Sequence, residues 1–207
     1  RVICTHMHPD HCGVSGWLAE RHGATLHMTR LEYYTLRMLA WDVMRPAPPQ
    51  ALAFYRATGL PAEAIDHYCH QFGEFGQMVY PLPDAFQALA DGDRIMIDGR
   101  EWQVIVGRGH SPEHACLYCP ALNVLISGDQ VLPRISSNVS VYPYEPEAEP
   151  LAGYAALIAG FMGIIGKIAW WKSLLTAFIF VAIMFVVFDV AFDVIMPKGP
   201  LEAAFGR

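Results

Sequence analysis

Apolar and polar positions along this 207-residue chain change rhythm three times. Residues 1–5 are a short β-branched run that predicts a buried strand, and a second strand is expected over Thr25 to Thr29. Between them, Val14 to Arg21 has helical spacing and stops before Gly23, a natural C-cap. Over 30–76 the spacing is mostly helical. Leu31, Tyr34, Met38 and Leu39 mark one helix, Pro46, Pro48 and Pro49 break it, and Ala51 to Thr58 and Ala62 to Phe72 predict two more. Residues 91–129 switch to a period of two. Arg94 to Ile97, the turn Asp98-Gly99 and Trp102 to Val106 predict a hairpin. Ala115 to Cys119 and Val124 to Ser127 predict two further strands. A Pro- and Glu-rich stretch over 143–150 then gives way to an almost purely apolar pattern. Leu151 to Trp171 carries one charge, Lys167, and Leu174 to Met196 carries only Asp189 and Asp193.

These rhythms predict an α+β domain over 1–150, with a helical insert at 30–76, followed by a separate apolar segment at 151–207 made of two helices. Leu174 to Met196 is about 23 residues, enough at 1.5 Å each to cross a bilayer core of about 30 Å. The segment is therefore expected to form a C-terminal transmembrane helical hairpin. Lys167 and Lys172 fall in its connection, and Trp170 and Trp171 at the interface. Membrane orientation is left open by Lys198 and Arg207 beyond the second helix. Because residues 1–5 read as a strand already in progress, the chain is expected to start inside a domain.

Composition narrows the class. The chain is 54% hydrophobic and 16% charged, against about 25% charged in ordinary domains, which excludes intrinsic disorder. A net charge of −6, with no Lys/Arg cluster, argues against a nucleic-acid partner. Five cysteines do not suggest a disulfide framework, and reduced thiols are expected.

The sharpest chemical signal is His6-x-His8-x-Asp10-His11, four metal-ligand types within six residues of a loop that follows a strand. Imidazole suits zinc and iron, and a carboxylate compensates charge. His6 and His8 could hold one ion while Asp10 and His11 hold another. His110, in Gly109-His110-Ser111-Pro112-Glu113-His114, closely follows the strand 104–106, and Asp129, in Ser127-Gly128-Asp129, closes another. Weaker features take plainer readings. Cys116 and Cys119 are expected on opposite faces of a strand, and His67 and His70 on a solvated helix. Tyr33, Tyr34 and Trp41 are expected in the core. His114 is either support for the metal ligands or a turn residue.

The segments THMHPDHCG, GRGHSPEH and LISGDQV resemble those of the metallo-β-lactamase superfamily over about residues 1–150. The resemblance implies an αββα sandwich, here partial, with metals at one edge of its sheets. It places His6, His8 and His110 on a first ion, Asp10 and His11 on a second, and Asp129 between them. It also gives Asp10 a catalytic role in orienting the nucleophile. The implied cofactor is Zn2+, one or two ions, since His8 stands where the di-iron oxygen-reducing branch has a carboxylate. The implied reaction is hydrolysis by a metal-bound hydroxide. The helical insert and GHSPEHACLYC look most like the glyoxalase-II-like branch, so a small ester or thioester is the expected substrate, in a parent domain that is cytoplasmic.

Two departures stand out. The resemblance implies about fifty residues of β-hairpins before the first motif, so one sheet is expected to lack strands here, and no histidine follows His114 in the sequence, so the second site is expected to be incomplete. The stretch WWKSLLTAFIFVAIMFVVFDVAFDVIMPKGPLE is similar to the end of the small membrane subunit of tripartite tricarboxylate transporters, over about residues 155–207. The alternative expectation is thus a non-catalytic chimeric membrane protein, joined near residue 152, with the lipid bilayer as partner of the tail. Nothing in the sequence sets the oligomeric state.

Overall fold

The computed structural model describes residues 1–43, 45–132, 137–146, 148 and 150–185. Along the chain the elements are β1 (Val2–Ile3), α1 (Pro9–Cys12), α2 (Ser15–His22), β2 (Leu26–Thr29), α3 (Arg30–Trp41), α4 (Pro49–Ala57), α5 (Ala62–Gln71), β3 (Gln87–Leu89), β4 (Arg94–Ile97), β5 (Arg100–Gly107), β6 (His114–Cys119), β7 (Val124–Ile126), α6 (Pro150–Gly160) and α7 (Trp170–Phe185). Single 3-10 turns at Glu74–Gln77 and Gly128–Gln130, and a π turn at Phe161–Ile165, complete the series. The chain divides into two compact units. One comprises Arg1–Pro46 and Gln71–Ser137, the other Ala47–His70 and the described residues from Asn138 onward.

The first unit contains two sheets. β1, β2 and β3 run parallel, with Val2 opposite Leu26 and Thr29 opposite Leu89. β4 to β7 form an antiparallel meander, with Ile95 opposite Trp102 and Val104 opposite Leu117. The 94–107 hairpin forms as its alternation predicts, with Asp98 and Gly99 both at positive φ in the turn. Leu89 joins Trp102, Val104, Ala115, Leu117 and Cys119 in one core, with Ile3, Ile95, Ile97 and Val106 packed against it. Both sheets thus contribute one apolar face to a shared layer. At one end the sheets are stitched together: the Ala115 amide donates to the Thr5 carbonyl at 2.8 Å.

α2 and α3 pack on the parallel sheet. α2 ends as expected, with Gly23 left-handed at φ 55° and its amide bonded to the carbonyls of Ala19 and Glu20. α3 has the helical period expected but a different phase. Its buried residues are Glu32, Tyr33, Thr35 and Leu36, whereas Leu31, Tyr34, Met38 and Trp41 are exposed, Trp41 at 74%. Tyr33 sets this phase. It stacks on Phe86 at 3.8 Å, and its hydroxyl donates to the Pro83 carbonyl at 2.6 Å. Core placement therefore holds for Tyr33 and is corrected for Tyr34 and Trp41. Cys116 and Cys119 are both buried free thiols; Cys119 lies in the inter-sheet core, while Cys116 approaches the Ser127 carbonyl. His67 and His70 are exposed on α5.

In the second unit, Tyr55 of α4 meets Tyr68 of α5 with ring centroids 4.7 Å apart. α6 runs into the π turn and stops at Gly166 and Lys167, the latter at φ 51°. Leu151 to Trp171 is therefore not one helix: Trp170 opens α7 and packs over Gly163, where a Cβ would lie 3.0 Å from its ring. Tyr154 and Phe180 join α6 to α7, with centroids 5.8 Å apart. Lys167 lies in the connection as expected, but Lys172 is already inside α7. Over its described residues, 170–185, α7 runs about 24 Å. Among the described residues no helix is long and apolar enough to cross a membrane. Asp189, Asp193, Met196, Lys198, Arg207 and the PKGPLE ending lie outside the described residues.

Candidate metal centre

The first cluster of ligands grows out of β1. His6 and His8 alternate with Met7, as side chains do along an extended chain, so the two imidazoles share one side while Met7 is buried, 1% exposed. Pro9 then starts α1. A residue before proline is driven to extended geometry, and His8 has φ −65° and ψ 141°. The His8 carbonyl accepts from the amides of His11 and Cys12, a tight turn that carries His11 back toward His6. Their ring centroids are 4.3 Å apart.

The other ligands arrive from the meander. His110 follows β5, and its Nε2 lies 3.0 Å from His8 Nδ1 and 3.3 Å from His6 Nε2. Asp129 follows β7, and its Oδ2 lies 3.3 Å from His11 Nε2 and 3.7 Å from His110 Nε2. Two ligand sets result: His6, His8 and His110; and His6, His11 and Asp129, each with its ligand atoms within 4.8 Å of one another. Two nitrogens, each 2.0–2.1 Å from a tetrahedral zinc, lie roughly 3.3 Å apart, so the spacing of the first set suits a metal.

Charge state points the same way. Burial first, and then the neighbouring rings of His114, His8, His11 and His110, hold His6 far below the usual imidazole range. His8 is lowered by burial and by His110. Ligation needs neutral imidazole, and burial favours that form at His6 and His8. Thr5 Oγ1 shares a hydrogen bond with His6 Nδ1 at 3.0 Å; with Nδ1–H donating, Nε2 turns its lone pair toward the other ligands.

The profile of the metallo-beta-lactamase superfamily matches residues 1–164. This chain belongs to that superfamily. A beta-lactamase domain protein from Burkholderia ambifaria is 39% identical, with a TM-score of 0.66 over 78% of this chain and 45% of that one. A metallo-beta-lactamase family protein from Thermus thermophilus is 27% identical, with a TM-score of 0.60 over 79% of this chain and 50% of that one. A protein of Aquifex aeolicus, described as uncharacterized, is 27% identical over 128 residues, 62% of this chain and 47% of that protein. The chain thus spans about half the length of these relatives. The superfamily match runs past the expected junction near residue 152.

Against the superfamily motifs, His6, His8 and His110 come together as one set, and His11 and Asp129 meet beside it. Asp10 stands apart. It lies in the first turn of α1 with its side chain 76% exposed and Oδ2 3.6 Å from His11 Nε2, in neither ligand set. His114 is fully buried and is no surface turn residue. Its ring stacks on His6 at 4.5 Å, and its Nε2 accepts from the Asp129 amide at 3.2 Å, which seats the loop carrying that aspartate. Burial and the nearby histidines push its pKa down to about 3. Sequence reasoning missed Thr5 and Glu32. Thr5 carries no pattern signal. Glu32 was hidden by the helix phase, because placing Leu31 and Tyr34 inward turns it outward.

Proposed function

We propose that this domain is a metal-dependent hydrolase, with zinc as its ion and a small ester or thioester as its substrate, in the manner of the glyoxalase-II-like branch. The observation that carries the reading is the convergence of His6 Nε2, His8 Nδ1 and His110 Nε2 at 3.0–3.3 Å. His6, His8 and His110 would hold the principal ion. His11 and Asp129, with His6 between the sets, would hold a weaker second one. A bound zinc supplies Lewis acidity and brings the pKa of a coordinated water to about 7. Asp129 faces both His11 and His110 and spans the two sets. Asp10, exposed beside His11, would orient the nucleophile and accept its proton. His114 keeps Asp129 in place through its backbone.

The test is elemental analysis of the purified full chain together with an ester and thioester panel, repeated on His8→Ala. One or two zinc ions per chain, and hydrolysis lost with the metal in His8→Ala, would support the reading. A chain that binds no metal, or a variant that keeps both metal and activity, would sink it.

A second reading concerns the tail. α7 exposes Trp170, Trp171, Leu174, Leu175, Phe178, Ile179 and Ile183, which favours lipid contact for this segment, as in a transporter-like membrane tail joined to the domain. Fractionation of the full chain decides it: recovery in a salt-washed soluble fraction would refute bilayer association.

A further inference from the structure

Glu32 is a carboxylate with no exposure at all, in the first turn of α3. Buried carboxylates are costly unless fully hydrogen-bonded. Glu32 meets that condition with three donors from two separate loops. Its Oε2 accepts from the Met7 amide at 2.9 Å. Its Oε1 accepts from Ser111 Oγ at 2.6 Å and from the Glu113 amide at 2.7 Å. Met7 lies between His6 and His8, and Ser111 directly follows His110. Each oxygen therefore grips one ligand-bearing loop.

The surrounding bonds reinforce the junction. Thr29 Oγ1 donates to the Glu113 carbonyl at 2.8 Å, and the Leu31 amide donates to Glu113 Oε2 at 3.2 Å. The start of α3 is thus locked to residues 111–113 from both directions, and Glu32 alone among these groups also reaches the 6–11 loop.

We propose that Glu32 is the positioning residue of the metal centre, a single carboxylate that fixes the His6–Met7–His8 loop and the His110–Ser111 loop at the separation a shared ion requires. It belongs to neither ligand set. The proposal rests on the metal reading above and names the group that sets its geometry. A glutamine has the same shape but one acceptor oxygen. If that oxygen serves Ser111 and Glu113, its NH2 group faces the Met7 amide, donor against donor. Glu32→Gln therefore releases one of the two loops.

The experiment titrates Co2+, a visible-spectrum probe, into the full chain and into Glu32→Gln, Glu32→Asp and Ser111→Ala, with circular dichroism to confirm folding and a competing chelator to measure affinity. Folded Glu32→Gln should bind Co2+ roughly 10- to 100-fold more weakly, with shifted d–d bands. Ser111→Ala, which removes one bond of three, should show a smaller shift in the same sense, and serves if Glu32→Gln does not fold. Glu32→Asp, which keeps both acceptors, should recover part of the affinity. Variants that lose thermal stability but keep the parent's Co2+ affinity and spectrum would overturn the proposal and leave Glu32 a staple of the fold. A parent chain that binds no Co2+ would overturn the metal reading itself, and this proposal with it.

Discussion

Cys116 and Gly128 show how closely individual residues are held around the centre. Burial pushes the Cys116 thiol up to about 12 from an unfolded value near 9. The folded state therefore holds a proton that the unfolded chain loses between those values. The resulting stability is fully present below about pH 9 and is lost as pH rises toward 12. Urea denaturation of metal-free protein at pH 8 and pH 10.5 should show that loss, and it should be smaller in Cys116→Ala. Gly128 is left-handed at φ 49°, and a Cβ there would lie 2.6 Å from the His114 ring and 3.2 Å from Thr5 Oγ1. Gly128→Ala should cost about 1–3 kcal/mol in the same assay. Because His114 seats Asp129, it should also weaken metal binding.

The elements divide by how local their determinants are. The 94–107 hairpin, the strand pair 114–126 and α2 were legible because alternation, turn residues and a glycine cap are written within each segment. The short parallel strand β3 was not: Gln87-Ala88-Leu89 is too brief for a period and exists through its pairing with His27, Met28 and Thr29, some sixty residues earlier. α3 was legible as a helix but not in its rotation, since the choice of inward face depends on Phe86 and Pro83, which the helix's own sequence does not contain. Its exposed stripe gives a prediction: Trp41→Ala should change unfolding free energy by no more than about 0.5 kcal/mol, whereas a core tryptophan would cost about 3–5. Chemical denaturation separates the two. The ligand motif itself was readable because four ligand types crowd one loop. Its clamp was not, because one glutamate in a helix carries no spacing to mark it.

For the whole molecule, a centre made from both sheets couples metal binding to global stability. An ion held at one hundred times its dissociation constant should add about 2.7 kcal/mol. That corresponds to a rise in Tm of roughly 5–10 °C for a chain of this size. Calorimetry with zinc and after chelation measures it, and equal melting temperatures would show that the ligand sets do not bind in the native state. The same geometry has a kinetic side. His8 and His110 meet across 102 positions of chain, and Thr5 reaches Ala115 over a similar distance. Such contacts carry loop-closure entropy that the 94–107 hairpin does not. The hairpin can therefore form early, while the full ligand set becomes complete only when the chain's two distant halves have docked. An ion offered to the refolding chain meets only the local 6–11 cluster at first, and finds the complete set only at the end of the folding reaction.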